Sequence, residues 1–208
     1  MTGGMTELPQ ASDFHSQGYL KLPDLLALDQ CRHLYKHCVK SLMSGELEMG
    51  DPKQHNGVAP PQRYGDPEIE ALLLKLQQKM EQATGLNLIP TYAFYRFYRN
   101  QASMVAHRDR SACEISLSLC LGADNGDLED SYAWPLYCDG TPIGTPVGDA
   151  VAYKGCDVLH WREPYPGKWL LQAFLHYVDA DGSNARHGYD RRRKLGEAYQ
   201  PIVGGPSF

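Results

Sequence analysis

The chain has 208 residues, enough for one domain with a sizeable core and short for two. Hydrophobic residues make up 42%, and 20 Lys plus Arg against 25 Asp plus Glu leave a net charge of −5, which argues against a nucleic-acid coat or a binder of anionic membranes. No window approaches 18 apolar residues, and Met1 to Gln10 lack the basic start and apolar run of a signal peptide, so a cytoplasmic location without a membrane partner is expected.

Residues 12–26 read as a short helix or turn, a break at Gly18, and a strand through Tyr19, Leu20 and Leu22. From Leu28 to Met43 the apolar positions Cys31, Leu34, Tyr35, Cys38, Val39 and Leu42 recur at three and four, which predicts a helix. Gly45 to Gly65 carries Pro52, Pro60 and Pro61 without periodicity. A stretch of that length is more often functional than idle in a compact domain, and a lid that is mobile without ligand is expected there. A second helix follows, with Asp66 as N-cap, Pro67 at the first helical position, Ile69, Leu72, Leu73, Leu76, Met80 and Ala83 on one face, and Gly85 at its end.

After Gly85 the period changes to two and the residues become aromatic and β-branched. Strands are predicted over Leu88–Arg99, Glu114–Leu121, Trp134–Cys138, Thr145–Val147, Ala150–Tyr153, Val158–Arg162 and Trp169–Val178. The fold class is therefore mainly β with flanking helices, the helices lying on one face of a jelly-roll barrel. The domain is expected over residues 12–180, with a tail at 181–208 whose run Arg191, Arg192, Arg193, Lys194 reads as a solvated patch. The six cysteines (31, 38, 113, 120, 138 and 156) form no CxxC or CxxH pair, so a zinc ribbon is excluded and free, packed thiols are expected.

One constellation carries chemistry. His107 and Asp109 stand two apart, and His160 lies in a late strand. Two histidines and one carboxylate on one face of an octahedral metal leave three positions open, the arrangement of non-haem Fe(II) oxygenases. In an extended strand residues two apart point the same way, so His107 and Asp109 can both face a barrel interior while another strand brings His160. An HxD pair standing alone reads as a surface polar pair.

The surroundings of this motif resemble a known superfamily. PVGDAVAYKGCDVLHWREPYPGKWLLQAFLHYV is similar to the late strands of iron(II)- and 2-oxoglutarate-dependent dioxygenases, and FYRFYRNQASMVAHRD to the first motif strand of their prolyl-hydroxylase-like branch, in which Tyr98 takes the place of a Tyr nine residues before the first ligand. FHSQGYLKLPDLL looks like the phytanoyl-hydroxylase-like start. The resemblance spans roughly residues 12–178 and implies a cupin-like double-stranded β-helix. It implies His107, Asp109 and His160 as ligands of Fe(II), with 2-oxoglutarate and O2 as cosubstrates and ascorbate as a supporting reductant. Hydroxylation of a small molecule or peptidyl side chain, with succinate and CO2 as coproducts, is the implied reaction. The carboxylate at 109, where related halogenases carry a small residue, points the same way.

The family anchors the distal carboxylate of 2-oxoglutarate with a cation on the last strand, but the corresponding residue here is Leu170. Lys168 just before it, Arg162 on the strand of His160, and Arg96 or Arg99 on the first long strand are the candidates, with Tyr98 adding a hydroxyl. Gln172 and His176 share a strand face with Lys168 and line either the pocket or the core. Trp134, Trp161 and Trp169 read as core, and His15, His33, His37 and His55 as surface residues. Arg110 and Glu114 either pair or contact substrate. The acidic Asp124–Ser131 insertion is expected at the barrel mouth, favouring cationic or zwitterionic substrates over nucleic acid. Two alternatives use the same barrel: a cupin-like metal enzyme that does not use 2-oxoglutarate, and a ligand-binding barrel without turnover.

Overall fold

A computed structural model describes residues 11–197; Met1 to Gln10 and the end of the tail, 198–208, lie outside the described residues. In chain order the elements begin with α1 (Ala11–Gln17), β1 (Tyr19–Leu22), α2 (Leu28–Met43), β2 (Glu48–Met49), a 3-10 turn at Pro52–His55, β3 (Pro61–Tyr64) and α3 (Pro67–Thr84). They continue through β4 (Leu88–Arg99), β5 (Met104–His107), β6 (Ile115–Asp124), β7 (Pro135–Cys138), β8 (Thr141–Gly144), β9 (Ala150–Lys154), β10 (His160–Arg162) and β11 (Trp169–Asp179). A seven-stranded sheet of order β1-β9-β6-β11-β4-β3-β2 faces a four-stranded sheet of order β5-β10-β7-β8. All the ladders are antiparallel. This is the expected double-stranded β-helix.

The two-residue period of the large sheet divides it between two tasks. Ala93, Tyr95 and Phe97 of β4, Leu117 and Leu119 of β6, and Leu171, Ala173 and Leu175 of β11 point outward into one core with the helices. The intervening residues Phe94, Arg96 and Tyr98, Ser116 and Ser118, and Gln172, Phe174 and His176 point toward the small sheet. A polar and aromatic interior is thus backed by an apolar exterior that the helices cover.

Helix α3 forms as its signals predict. Asp66 accepts from the backbone N–H groups of Glu68 and Ile69, Pro67 fills the first position, and Gly85 ends the helix at φ 71°. The Asp66 carboxylate is fully buried and is also bonded at 2.9 Å to His37 of α2, so it joins the two helices. Asp66→Ala leaves these donors unpaired. It is expected to destabilise by about 2 kcal/mol, roughly a 4–8 °C fall in Tm by calorimetry, while Asp66→Asn recovers the capping part.

Three expectations need correction. Gly45 to Gly65 is not a free lid: β3 pairs with β4 through Gln62↔Arg96, Arg63↔Tyr95 and Tyr64↔Phe94. An edge strand needs only one ladder and accepts proline at its first residue, here Pro61, so no periodicity announced it. The loop left between Gly50 and Pro60 is pinned, because the buried His55 bonds through Nδ1 to the Ser103 carbonyl at 2.6 Å and Asn56 Nδ2 donates to Ser103 Oγ at 2.8 Å. The strand expected at Thr145–Val147 forms instead at Thr141–Gly144. Asp139 (φ 46°) and Gly140 (φ 90°) supply the two left-handed residues of a tight hairpin turn between β7 and β8.

The basic run, lastly, is solvated only in part. Arg192 is buried and donates to Glu70 Oε1 at 2.6 Å, while Arg191, Arg193 and Lys194 are exposed. All six cysteines are free and five are buried, as the spacing predicted.

Candidate metal centre and its pocket

His107 closes β5 and His160 opens β10, and the two are cross-strand partners with ring centroids 4.3 Å apart. Each ring turns its Nδ1 to the carbonyl two residues back in the chain, His107 to Val105 at 2.8 Å and His160 to Val158 at 3.0 Å. With Nδ1–H donating there, both Nε2 lone pairs are directed at one point, and a backbone carbonyl behind a ligand imidazole fixes tautomer and orientation. Asp109 meets them: its Oδ1 lies 3.6 Å from each Nε2. The three donor atoms lie within 4.8 Å of one another, as a metal ligand set requires.

The reason for the HxD spacing differs from the expectation. β5 ends at His107, and Asp109 is presented by a turn whose N–H donates to the Gly155 carbonyl at 2.8 Å. Burial alone would raise the Asp109 carboxyl, but without a metal a proton on the facing imidazoles, which lets Nε2 as well as Nδ1 donate, outweighs it and holds the group well below the usual carboxylate range. An ionised carboxylate thus stands between two imidazole nitrogens, the charge a divalent ion would displace the protons to reach.

Sequence reasoning missed two supports. Ser116 Oγ lies 3.1 Å from Asp109 Oδ2 and 2.8 Å from His176 Nδ1. The single hydroxyl proton goes best to the carboxylate, so Nδ1–H of His176 donates to Ser116, and His176 Nε2 is left without a partner. Gly155 is the other: a Cβ there would run into the Cys113 carbonyl and Asp109 Oδ2. A Gly in a strand-ending turn marks close approach, which was the available signal. Gly155→Ala is expected to push the carboxylate out of place and weaken metal binding at least tenfold while the far-ultraviolet circular dichroism stays unchanged.

The cluster opens on a cavity of about 280 Å3 lined by Gln54, Tyr92, Phe94, Arg96, Phe174 and His176 among others. The Phe94 and Phe174 rings stack at 4.7 Å, and the Arg96 guanidinium lies 4.8 Å over Phe94. Arg110 does not pair with Glu114: it forms a bidentate pair with Asp190 at 2.7 and 2.8 Å, while Glu114 accepts from the Asp179 N–H.

The candidate anchors separate sharply. Arg162 points into the barrel from the same strand face as His160, about 7 Å further along β10. It is 1% exposed, donates through Nη1 to the Trp134 carbonyl at 2.7 Å, lies over the Trp134 ring, and has no carboxylate partner among the described residues. Its Nε, the Tyr98 hydroxyl and Gln172 Oε1 are all buried without hydrogen-bond partners. Lys168 is brought nowhere near the cluster: it is 67% exposed beside Asp124, at the end of β11 remote from His176 by about 26 Å of strand. Arg99 is exposed at that same remote end, opposite Trp169.

The acidic Asp124–Ser131 insertion begins at this end too, with Asp124 opposite Trp169. It flanks a separate cleft beside Trp134 and Thr145. The expected acidic rim is therefore absent from the metal pocket. Of the histidines read as surface residues, His55 is buried and His33 and His37 pair with Glu68 and Asp66.

No protein-family model and no curated protein matches the chain. Solved structures do. A Pseudomonas putida prolyl-4-hydroxylase superposes with TM-score 0.61 at 18% identity, over 80% of this chain and 96% of that one. The non-haem α-ketoglutarate-dependent carbocyclase SnoK from nogalamycin biosynthesis gives 0.68 at 14%, over 92% of each chain. HygX from Streptomyces hygroscopicus, solved with nickel, 2-oxoglutarate and hygromycin B, gives 0.62 at 10%, over 84% and 88%. The chain has the double-stranded β-helix fold of the 2-oxoglutarate-dependent oxygenases. Among its described residues no helix is long and apolar enough to cross a membrane.

Proposed function

We propose that this chain is an Fe(II)- and 2-oxoglutarate-dependent oxygenase that hydroxylates an unactivated C–H bond of a small molecule or peptidyl side chain, releasing succinate and CO2. The observation that carries the reading is one juxtaposition: a His-Asp-His donor cluster, and beside it on the same strand face a buried cation, Arg162, with no carboxylate partner. The donor set suits divalent iron with open positions. The unpartnered Arg162 Nε and Tyr98 hydroxyl suit the far carboxylate of a five-carbon diacid, which a buried guanidinium neutralises. Neighbours of the same fold named for α-ketoglutarate dependence or solved with 2-oxoglutarate support the reading.

His107, Asp109 and His160 would hold the iron, which together with 2-oxoglutarate and O2 supplies the oxidising power, with ascorbate to restore it. The protein's own part is positional. The Val105 and Val158 carbonyls keep both imidazoles in the ligating tautomer. Ser116 keeps one oxygen of Asp109 occupied, so that the other faces the histidines. Arg162 and Tyr98 would fix the diacid at its far end, and the Phe94 and Phe174 rings keep water from the pocket wall.

Anaerobic addition of Fe(II) and 2-oxoglutarate is the test. A visible charge-transfer band is expected, followed in air by succinate formation. Absence of both sinks the proposal.

A further inference from the structure

Charge in the metal pocket is lopsided. Three arginines line it, Arg96, Arg108 and Arg110, against one acid, Asp109. Asp190 neutralises Arg110 through a bidentate pair. Neither Arg96 nor Arg108 has a carboxylate within salt-bridge distance among the described residues. Arg96 donates through Nε to Gln62 Oε1 at 2.8 Å, and Arg108 through Nε to the Asp157 carbonyl at 2.7 Å. Their Nη groups, the prongs that grip an oxyanion, make no hydrogen bond among the described residues.

Asp109 is matched by the divalent ion that the proposed function assigns to it, so the cavity keeps two uncompensated guanidinium groups. Two like charges on the wall of a cavity of about 280 Å3 make it favour an anion. Arg96 is also held flat on aromatic rings, 4.8 Å over Phe94 and 5.6 Å over Phe174, so its fork is pre-oriented and loses little freedom on binding.

The proposed function gives the cosubstrate to Arg162, not to these two arginines. Arg162 lies on the strand face of His160, whereas Arg96 sits on the facing sheet under the pinned loop that carries Gln54 and His55. Nearby charge on Arg96 depresses the proton affinity of His55, after the larger effect of burial.

Resting on the oxygenase reading, we propose that the substrate of this site is a small organic oxyanion with a flat apolar body, its carboxylate or phosphate group held by Arg96 and Arg108 and its body laid along Phe94 and Phe174. This reverses the cationic preference expected from the acidic insertion, which borders a different cleft.

Calorimetric titration of the protein loaded anaerobically with Fe(II) and 2-oxoglutarate tests it, with four probes of one shape: 3-phenylpropionate, 2-phenylethyl phosphate, 3-phenylpropionamide and 3-phenylpropylamine. At least one anion is expected to bind tenfold or more tightly than amide and amine, and which of the two does so assigns the carboxylate or the phosphate. Arg96→Gln and Arg108→Gln should each remove most of that preference, and Arg96→Lys should restore part of it. Because Arg108 is exposed, its variant stays folded.

The proposal is overturned if the amine binds as well as the anions, if the double variant keeps the preference, or if the anion displaces 2-oxoglutarate. It is equally overturned if Arg96→Gln raises the 2-oxoglutarate requirement as Arg162→Gln does, since Arg96 would then be a cosubstrate anchor. A protein that binds the anions through Arg96 but not 2-oxoglutarate upholds this site and refutes the oxygenase reading.

Discussion

His160→Ala is expected to abolish Fe(II) binding at micromolar metal and to reduce 2-oxoglutarate turnover by at least a thousandfold. The ring supplies one of three donors, and two donors from a neighbouring pair leave a flexible, water-filled site with little hold on a borderline ion. His107→Ala and Asp109→Ala should behave alike. The fold should survive, because the large apolar core lies on the opposite face of the seven-stranded sheet from the ligands. Equilibrium dialysis with Fe(II) and succinate quantification, alongside Tm, separate the two effects. A His160 variant that retains turnover would falsify the assignment of the centre.

Arg162→Gln is expected to raise the 2-oxoglutarate requirement by about one to three orders of magnitude, since a charge-assisted hydrogen bond to a buried anion contributes about 1.5–3 kcal/mol and leaving that anion unpaired costs more. Arg162→Met sharpens the test. A guanidinium 1% exposed without a carboxylate partner is a burden on the ligand-free fold, and burial pushes its proton affinity below the ordinary arginine value. The methionine variant should therefore keep or gain thermal stability while losing 2-oxoglutarate affinity, a combination that a merely structural arginine cannot produce. Lys168→Ala, on the exposed turn beside Asp124, should be silent in both measurements.

How much of this was legible beforehand depended on whether a feature is local. Helix α3 was readable to its last residue because cap, proline, apolar stripe and terminal glycine are all in its own sequence. The long strands were readable because alternation is local too. His107, Asp109 and His160 were expected to meet and do come together, yet the reason offered for His107 and Asp109, two residues facing one way along a strand, gave way to a segment held by the Gly155 carbonyl. β3 could not be seen because an edge strand takes its hydrogen bonds from a partner and needs no pattern of its own. Arg162 was legible beside His160 from its spacing of two along one strand, whereas only the antiparallel register shows that Lys168 lies a barrel length away. The acidic insertion misled for the same reason: composition shows a charge but not the end of the barrel that carries it.

The segment after β11 has a consequence for the order in which the molecule is assembled. Tyr189, Asp190 and Arg191 stand at φ 54°, 49° and 62°, a run of left-handed backbone that Asp tolerates and that Tyr and Arg resist. Asp190 closes on Arg110 and Tyr64, and Arg192 on the buried Glu70 of α3, contacts spanning 80, 126 and 122 residues of chain. Loop closures of that length come late in folding and during synthesis. Until they do, Glu70 lacks its cation and Arg110 lacks the Asp190 carboxylate, so the rim of the metal pocket is among the last parts of the protein to mature. A nascent chain thus completes its barrel before it can close the wall of the cavity beside the His-Asp-His cluster, and the strained turn is the latch that records completion.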